Sequence, residues 1–379
     1  MNHKLFHFRY FLSIHLVVIF LSSSFAAQTY HRSDTELKKA YSKEYSADKN
    51  TVVEISNRYG TVDVKSWTNN AVKIDVTVIV KAGNQSKAEA KMKEINIMMS
   101  KNGNNVVANT EISSTNQSWW ESWWGSTGSI KIEINYIVYM PSHLQVMIEN
   151  KYGNIYLPDL SGKTSINLKY GNLQAQNISA DLLMDLSYGK ATFGNVKNLK
   201  GTISYSDIRG TAADAVMLTT KYSKIYIDNI KSLIATSKYD TYKIGNTNTV
   251  TMTGAYDDID LRNLASGTFN LKYTGMEIAS LSNSITTEIS YGSMTIENLK
   301  TSFKQMVVNT SYAPIKVYGS VPCKVDVSGK YFDADLGADF VSKEKVNEGN
   351  TKMLKGYKGS ERTGASITIA SKYGDVVLK

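Results

Sequence analysis

The chain has 379 residues, 42% of them hydrophobic and 20% charged, and carries a formal net charge of +9 at pH 7. This is the composition of an ordinary folded protein, and the length is sufficient for two domains. Nucleic-acid binding is not expected, because the basic excess is mild and the sequence has no compact basic cluster or reading motif. Cys323 is the single cysteine, which excludes an internal disulfide and predicts a small buried apolar residue.

Residues 1–27 have the pattern of a secretory signal peptide. Lys4 and Arg9 form a basic start, residues 10–21 form a largely apolar core, and residues 24–26 offer a small-x-small cleavage site. The core is shorter than the roughly 20 apolar residues that span a bilayer, so we expect cleavage rather than an anchor. The sequence therefore predicts an exported protein in the periplasm, on the outer surface or outside the cell, with no membrane span after cleavage.

A polar lead-in (28–50) precedes a smaller β-rich region (51–145). Alternating apolar residues from Val72 to Val80 predict a strand in this region. Residues 86–89 form a capping box, and apolar residues then recur at helical spacing up to Met99. These signals predict one helix over about 86–100.

Four of the five tryptophans lie close together in a polar connection between two predicted strands. Exposed indoles in such a loop would form a site for a partner, a glycan or a membrane interface. Alternatively, the rings fold back over the end of the repeat region and cap its apolar core. The residues of this candidate binding site are Trp119, Trp120, Trp123 and Trp124.

From residue 146 to 379 the sequence is organised around one recurring tyrosine, mostly followed by glycine or a small polar residue. The series begins at Tyr152, proceeds in steps of 17 to 21 residues to Tyr331, and closes at Tyr373; Tyr59 is an outlying copy. A short fixed period indicates units that bury their apolar sides by stacking on neighbours. Helical repeats need about 33 residues or more and are excluded.

The apolar positions within one unit alternate on both sides of the tyrosine. Around Tyr170 the cluster before it ends at Leu168, and the cluster after it begins at Leu173. Spacing of two is strand periodicity, and a glycine such as Gly171 would allow the positive φ of a tight turn. The sequence therefore predicts an all-β fold, a parallel β-solenoid of about 12 short coils preceded by the smaller β-rich region with one helix.

The tyrosines share the strand parity of the apolar positions two and four residues earlier. This parity favours rings that point inward or cap the corner, stacked at the spacing of the strands. An exposed platform for sugars is the alternative.

A basic residue stands directly before tyrosine in eight of the thirteen phrases. By strand parity these side chains face away from the core and line one outer edge. Such a basic stripe could attract anionic glycans, lipid headgroups or other polyanions; alternatively, it is a solvated face that discourages edge-to-edge aggregation. The candidate residues are Lys151, Lys169, Lys221, Lys238 and Lys272.

Catalytic and metal-binding candidates are few. After the signal segment only His31 and His143 remain, both outside the repeats, so His-dependent nucleophiles and Cys/His zinc sites inside the repeats are excluded. Asp240 and Asp257 each follow a tyrosine and lie one coil apart, which could place them about 5 Å from each other. Such a pair could hold a hard cation or act as a glycosidase pair; alternatively, they are solvated turn residues.

The repeat pattern loosens towards residue 379. Residues 340–364 are rich in lysine, glutamate and glycine and are expected to form a projecting loop or irregular coil. The pattern then resumes over residues 367–378, which predicts a last coil around Tyr373.

Three features match a known family: Ile55–Val64 followed by Trp67, the strand ending at Tyr136–Pro141, and serial phrases such as Asn150–Ile155. From about residue 51 onward the chain resembles the bacterial putative-adhesin domains of unknown function. The resemblance implies an exported, all-β, solenoidal protein of the cell envelope or surface, with no known enzymatic activity. It carries no functional residues.

Taken together, these patterns predict a non-enzymatic exported binding or scaffold protein without a cofactor, whose partner is a glycan, an envelope component or another protein. One alternative is a carbohydrate-active β-helix enzyme, a lyase or hydrolase, centred on Asp240 and Asp257. The other is a structural or signalling component of the envelope.

Overall fold

The computed structural model describes residues 35–113 and 130–379. The signal segment, His31 and the four clustered tryptophans lie outside the described residues. Within the described ranges, no helix has the length and apolar character needed to cross a membrane.

The N-terminal part combines one coil of the solenoid with antiparallel strands. The two strands that flank Tyr59 pair in parallel with Gln145–Lys151 and Ile155–Leu157 of the next coil, and the longer strands that follow pair antiparallel with one another. The elements are β1 (Thr35–Ser46), β2 (Val52–Arg58), β3 (Val62–Ser66), β4 (Ala71–Ala82), α1 (Gln85–Lys93), β5 (Ile95–Asn102), β6 (Asn105–Ile112) and β7 (Lys131–Met140).

The predicted polar lead-in is wrong for residues 35–46, which form β1. This strand pairs antiparallel with β4 along its whole length. Leu37, Tyr41 and Tyr45 pack against the core from it. An edge strand with one solvated face tolerates many charged residues, so β1 lacks a clear apolar alternation.

The predicted helix is confirmed only in its first part, since α1 ends at Lys93 and β5 follows. Its N-cap is Asn84, whose side chain accepts a hydrogen bond from the Lys87 backbone N–H, rather than the expected Ser86. Ile95 and Met99 are four residues apart and fit a helix, but Ile97 between them is also buried. That spacing of two belongs to a strand.

The parallel β-solenoid expected from the tyrosine period is confirmed. Successive coils pair in register, so that Ile208, Ile225, Tyr242 and Ile259 meet in one buried column. The strands are β8 (Gln145–Lys151), β9 (Ile155–Leu157), β10 (Thr164–Lys169), β11 (Asn172–Ala175), β12 (Ile178–Ser187), β13 (Lys190–Ser204), β14 (Asp207–Lys221), β15 (Lys224–Lys238), β16 (Thr241–Ala255), β17 (Asp258–Lys272), β18 (Gly275–Ser290), β19 (Ser293–Ile296), β20 (Gln305–Ser311), β21 (Ile315–Val317), β22 (Cys323–Lys330), β23 (Ala334–Asp335), β26 (Ser366–Lys372) and β27 (Val376–Leu378).

The last three coils do not stack in sequence order. Strand β26 pairs in parallel with β20 on one side and with β22 on the other. Strand β27 likewise lies between β21 and β23. The coil of Tyr373 is therefore inserted between the coils of Tyr312 and Tyr331.

Residues 340–358 form a β-hairpin, so the expected loop over 340–364 is wrong for this part. Strands β24 (Phe340–Glu348) and β25 (Thr351–Lys358) pair antiparallel with each other, and β25 also pairs antiparallel with β22. The hairpin hydrogen-bonds to the edge that β22 would otherwise leave open. At its base Lys358 is buried, donates to the Leu336 and Leu378 carbonyls, and pairs with Asp339 at 2.8 Å.

Cys323 is buried, as expected from the sequence. Burial raises the pKa of its thiol to about 11. This side chain is therefore a neutral part of the core at physiological pH.

Candidate functional site: the tyrosine column and its flanks

The turn of every coil lies on the tyrosine itself. All thirteen repeat tyrosines have a positive φ, between 51° and 66°, a left-handed conformation that non-glycine residues adopt rarely. Where a glycine follows the tyrosine, it has no positive φ. Its role is to let the backbones of neighbouring coils approach closely. A Cβ atom on Gly171 would stand 1.9 Å from the Gly153 carbonyl oxygen of the neighbouring coil.

The tyrosine rings form one continuous stack, which we call the tyrosine column. Neighbouring ring centroids are 4.6 to 5.4 Å apart, and the planes differ by 2° to 18°. In space the column runs Tyr59, Tyr152, Tyr170, Tyr188, Tyr205, Tyr222, Tyr239, Tyr256, Tyr273, Tyr291, Tyr312, Tyr373 and Tyr331.

Of the two placements expected from parity, inward-pointing or at the corner, the inward one is not found for most of the column. From Tyr170 onward each of these tyrosine residues is between 39% and 51% exposed, and within the column Tyr59 alone is buried. The left-handed residue interrupts the strand alternation and turns its ring outward at the corner. A flat sugar platform is not formed either, because the faces of each inner ring are covered by its neighbours and only edges and hydroxyls face solvent.

The residues directly before the tyrosines form a column parallel to it, in which Ser or Ala occupies five of the thirteen positions. We call the eight basic members the basic stripe (Arg58, Lys151, Lys169, Lys221, Lys238, Lys272, Lys330 and Lys372). The parallel register brings Lys151 beside Lys169 and Lys221 beside Lys238. The Lys221 and Lys238 ammonium groups lie 5.3 and 5.2 Å from the centroids of the following tyrosine rings. Within the described chain none of the stripe residues forms an ion pair.

Asp240 and Asp257 lie inside the stack, only 2% and 5% exposed. The Asp240 carboxylate accepts hydrogen bonds from the Ser223 backbone N–H and the Thr220 hydroxyl, both at 2.6 Å. The Asp257 carboxylate accepts from the Asp240 backbone N–H at 2.8 Å and from the Ser237 hydroxyl at 2.7 Å. Neither the accessible carboxylate pair nor the solvated turns expected from the sequence are found.

Burial raises the pKa of Asp240, and it raises that of Asp257 to about 6. In both cases desolvation of the charged form outweighs the hydrogen bonds that the carboxylate accepts. Among the residues that the structure describes, no group of three or more His, Cys, Asp or Glu side chains is placed to hold a metal ion.

The two aspartates belong to a polar ladder that sequence reasoning missed. In each of five successive coils the backbone N–H after the tyrosine donates to the side chain at the same position one coil further on. The donors are Gly189, Ser206, Ser223, Asp240 and Asp257, and the acceptors are Ser206, Ser223, Asp240, Asp257 and Thr274. The signal in the sequence is that short polar residues replace glycine in consecutive repeats.

Tyr242 joins this ladder from the core. Its hydroxyl lies 2.7 Å from the Thr220 hydroxyl. Because Thr220 donates its proton to Asp240, the Tyr242 hydroxyl is the donor to Thr220. Tyr242 is fully buried, and desolvation raises the pKa of its phenol.

An asparagine ladder runs along a second corner of the coils, and sequence reasoning missed it too. The Asn263 amide donates to the Asn246 side chain at 2.7 Å, and Asn246 donates to Asn229 at 2.8 Å. These exposed amides satisfy one another and stabilise the corner.

No family model matches the sequence, and no curated protein sequence matches it. Solved structures similar to the chain include a "putative cell adhesion protein" from Clostridium sporogenes, with 10% identity, a TM-score of 0.19, and coverage of 90% of this chain and 99% of that one. "Putative adhesins" from Parabacteroides merdae (11% identity, TM-score 0.30) and Bacteroides fragilis (12%, 0.25) each cover 74% of this chain and 96% and 97% of their own.

These descriptions agree with the bacterial putative-adhesin domains that the sequence resembles.

Proposed function

We propose that this protein is a non-enzymatic exported binding scaffold of the cell envelope, and that its basic stripe contacts an anionic glycan. The observation that carries the proposal is the run of exposed lysines beside the tyrosine column, which have no carboxylate partner within the described chain. A cation without a carboxylate partner is available to an anionic ligand. The signal-like segment at residues 1–27 supports export.

The stripe suits a linear polymer better than a compact ligand. Where neighbouring coils both carry lysine, the two side chains stand about one strand spacing of 4.8 Å apart, as at Lys221 and Lys238; coils with Ser or Ala before the tyrosine separate these runs. An extended polyanion lying along the column would meet several short runs of basic groups, whereas a compact ligand would meet only one of them. The tyrosine hydroxyls alongside can donate hydrogen bonds to its oxygens.

A carbohydrate-active enzyme centred on Asp240 and Asp257 is less well supported. A glycosidase pair must reach its substrate, and both carboxylates are buried with their oxygens accepting hydrogen bonds from the protein. A structural or signalling role in the envelope remains the alternative outcome of the binding test.

The test is binding of the purified protein to a sulfated or uronate-rich polysaccharide, with a neutral polysaccharide as reference. Replacing Lys221, Lys238 and Lys272 together by Gln should weaken binding at least tenfold, and added salt should weaken the wild type similarly. The matched control replaces the exposed Lys197, Lys243 and Lys300, which lie outside the stripe. Equal losses in both triple variants, or no binding by the wild type, would remove the proposal.

Two further experiments test the predicted tryptophan site and the predicted export. Replacing Trp119, Trp120, Trp123 and Trp124 by Ala tests whether the tryptophan segment is a second contact for the same polymer. Cell fractionation combined with protease treatment of intact cells tests the exported location, and recovery in the cytoplasm would contradict it.

A further inference from the structure

The tyrosine column places phenol rings in contact along one exposed edge. From Tyr170 to Tyr331 every neighbouring pair of rings is stacked, with centroids 4.6 to 5.0 Å apart. Each of these tyrosine residues is at least 39% exposed. Offset stacking of aromatic rings is common in proteins, but here it brings together a row of oxidisable groups that solvent can reach.

We propose that the tyrosine column is a site of oxidative coupling, at which neighbouring tyrosines of the column join as dityrosine and cross-link adjacent coils covalently. The oxidant class is hydrogen peroxide acting through a haem peroxidase. Each of two phenols loses one electron and its hydroxyl proton. The two resulting radicals form one carbon–carbon bond between positions ortho to the hydroxyls, and the ring protons at those carbons return to the oxygens. One peroxide takes up the two electrons and two protons and yields two waters.

Two structural features favour coupling within the molecule over other fates of the radical. A radical formed on any rung has a second phenol in contact, so coupling does not wait for a collision between molecules. The rings also stand at the corner of the coil, outside the buried core. Tyr242, by contrast, is fully buried and is shielded from the oxidant.

The order of the column gives the proposal a diagnostic product. Tyr373 stacks on Tyr312 at 4.6 Å and on Tyr331 at 4.7 Å. Coupling governed by the column therefore joins Tyr312 to Tyr373 and Tyr373 to Tyr331. A direct link between Tyr312 and Tyr331, which are neighbours in the sequence series, is not expected because the Tyr373 ring lies between them.

The experiment treats the dilute full chain with peroxidase and hydrogen peroxide and maps cross-linked tryptic peptides by mass spectrometry. Lysine precedes Tyr222, Tyr239, Tyr331 and Tyr373. Trypsin cleaves after lysine, so each of these tyrosines becomes the first residue of a tryptic peptide. We expect intramolecular dityrosine between Tyr222 and Tyr239 and between Tyr312 and Tyr373. Dityrosine fluorescence should rise while the protein still migrates as a monomer.

Matched variants keep the stack but remove the phenol. Tyr373→Phe should lower the yield of the links from Tyr373 to Tyr312 and Tyr331 at least tenfold and leave the Tyr222–Tyr239 link unchanged. Tyr222→Phe should lower the Tyr222–Tyr239 link at least tenfold and leave the two links of Tyr373 unchanged. Tyr156 is an internal control, since it is exposed but has no tyrosine ring stacked on it within the described chain. Links formed mainly between molecules, links that ignore the column order, or oxidation without coupling would each overturn the proposal.

Discussion

Tyr373 stacks on Tyr312, with ring centroids 4.6 Å apart, although Tyr331 is the next repeat tyrosine in the sequence. The chain leaves the coil of Tyr312, skips one coil position, builds the coil of Tyr331 and its hairpin, and returns to fill the gap. Strands β26 and β27 thus have a parallel partner on both sides.

The inserted coil should be a main determinant of stability in this part of the stack. Ile369 is fully buried in it, so Ile369→Ala should lower the free energy of unfolding by about 2–5 kcal/mol. Hydrogen exchange followed by mass spectrometry should show the loss in β20 and β22 as well as in β26. The exposed neighbour Thr368→Ala serves as control, and equal effects of the two changes would contradict the topology.

The glycine after the tyrosine should be intolerant of even one methyl group where it approaches a neighbouring backbone. Gly171→Ala would place a Cβ 1.9 Å from the Gly153 carbonyl oxygen, and we expect destabilisation by about 1–3 kcal/mol or more. Gly275→Ala is the control, since its nearest contacts would be 3.9 Å away. Denaturant unfolding monitored by circular dichroism measures both, and similar midpoints would be inconsistent with the close approach.

Asp257 should make stability depend on pH. Its carboxyl has a pKa near the usual 3.8 in the unfolded chain and about 6 in the folded protein. Between these values the folded state keeps a proton that the unfolded state has released, so the free energy of unfolding falls as pH rises from about 4 to 6. The full effect is on the order of 2–3 kcal/mol.

Asp257→Asn removes the charge while keeping an acceptor for the Asp240 backbone N–H. The variant should therefore be more stable than the wild type above about pH 6 and lose that advantage near pH 4. Thermal unfolding of the two proteins across this range measures the difference in their stability. A difference that does not change with pH would show that Asp257 does not titrate in this window.

The Thr220 hydroxyl connects two buried groups and should not be replaceable by a methyl group. Thr220→Val deprives the Asp240 carboxylate of a donor and the Tyr242 hydroxyl of its acceptor. An unpaired buried polar group costs about 1–3 kcal/mol, and we expect a loss of that size. The control Thr219→Val, at the adjacent exposed position, should change stability by less than about 0.5 kcal/mol. Calorimetry of both variants measures the two changes, and equal losses would contradict the role of Thr220.

The sequence predicted the coils because their apolar residues alternate around a fixed period, and Leu168 and Leu173 are buried as that pattern requires. It failed at Tyr170, because strand parity does not continue through a left-handed residue. It also failed for the coil order, since pairing between Tyr312, Tyr331 and Tyr373 depends on which edges meet in space. No local pattern records that choice.

The candidate site was predicted in part. Parity predicts that the basic residues face one outer edge, and Lys221 and Lys238 are neighbours in the parallel register; that they form a binding site stays a prediction. The burial of Asp240 could not be read from one repeat, because its neighbours Thr220 and Ser223 come from the preceding coil. Comparing equivalent positions across coils would have revealed that acceptor ladder.

The skipped coil position also has a consequence for assembly. Until residues 366–378 dock, β20 and β22 each present an unpaired, apolar-backed edge to the other, and such edges recruit foreign strands. The solenoid therefore cannot be completed by simple progressive winding from one end. The coil of residues 366–378 must be inserted between two coils that precede it in the sequence. Any factor that delays this insertion would prolong the exposure of the β20 and β22 edges to aggregation.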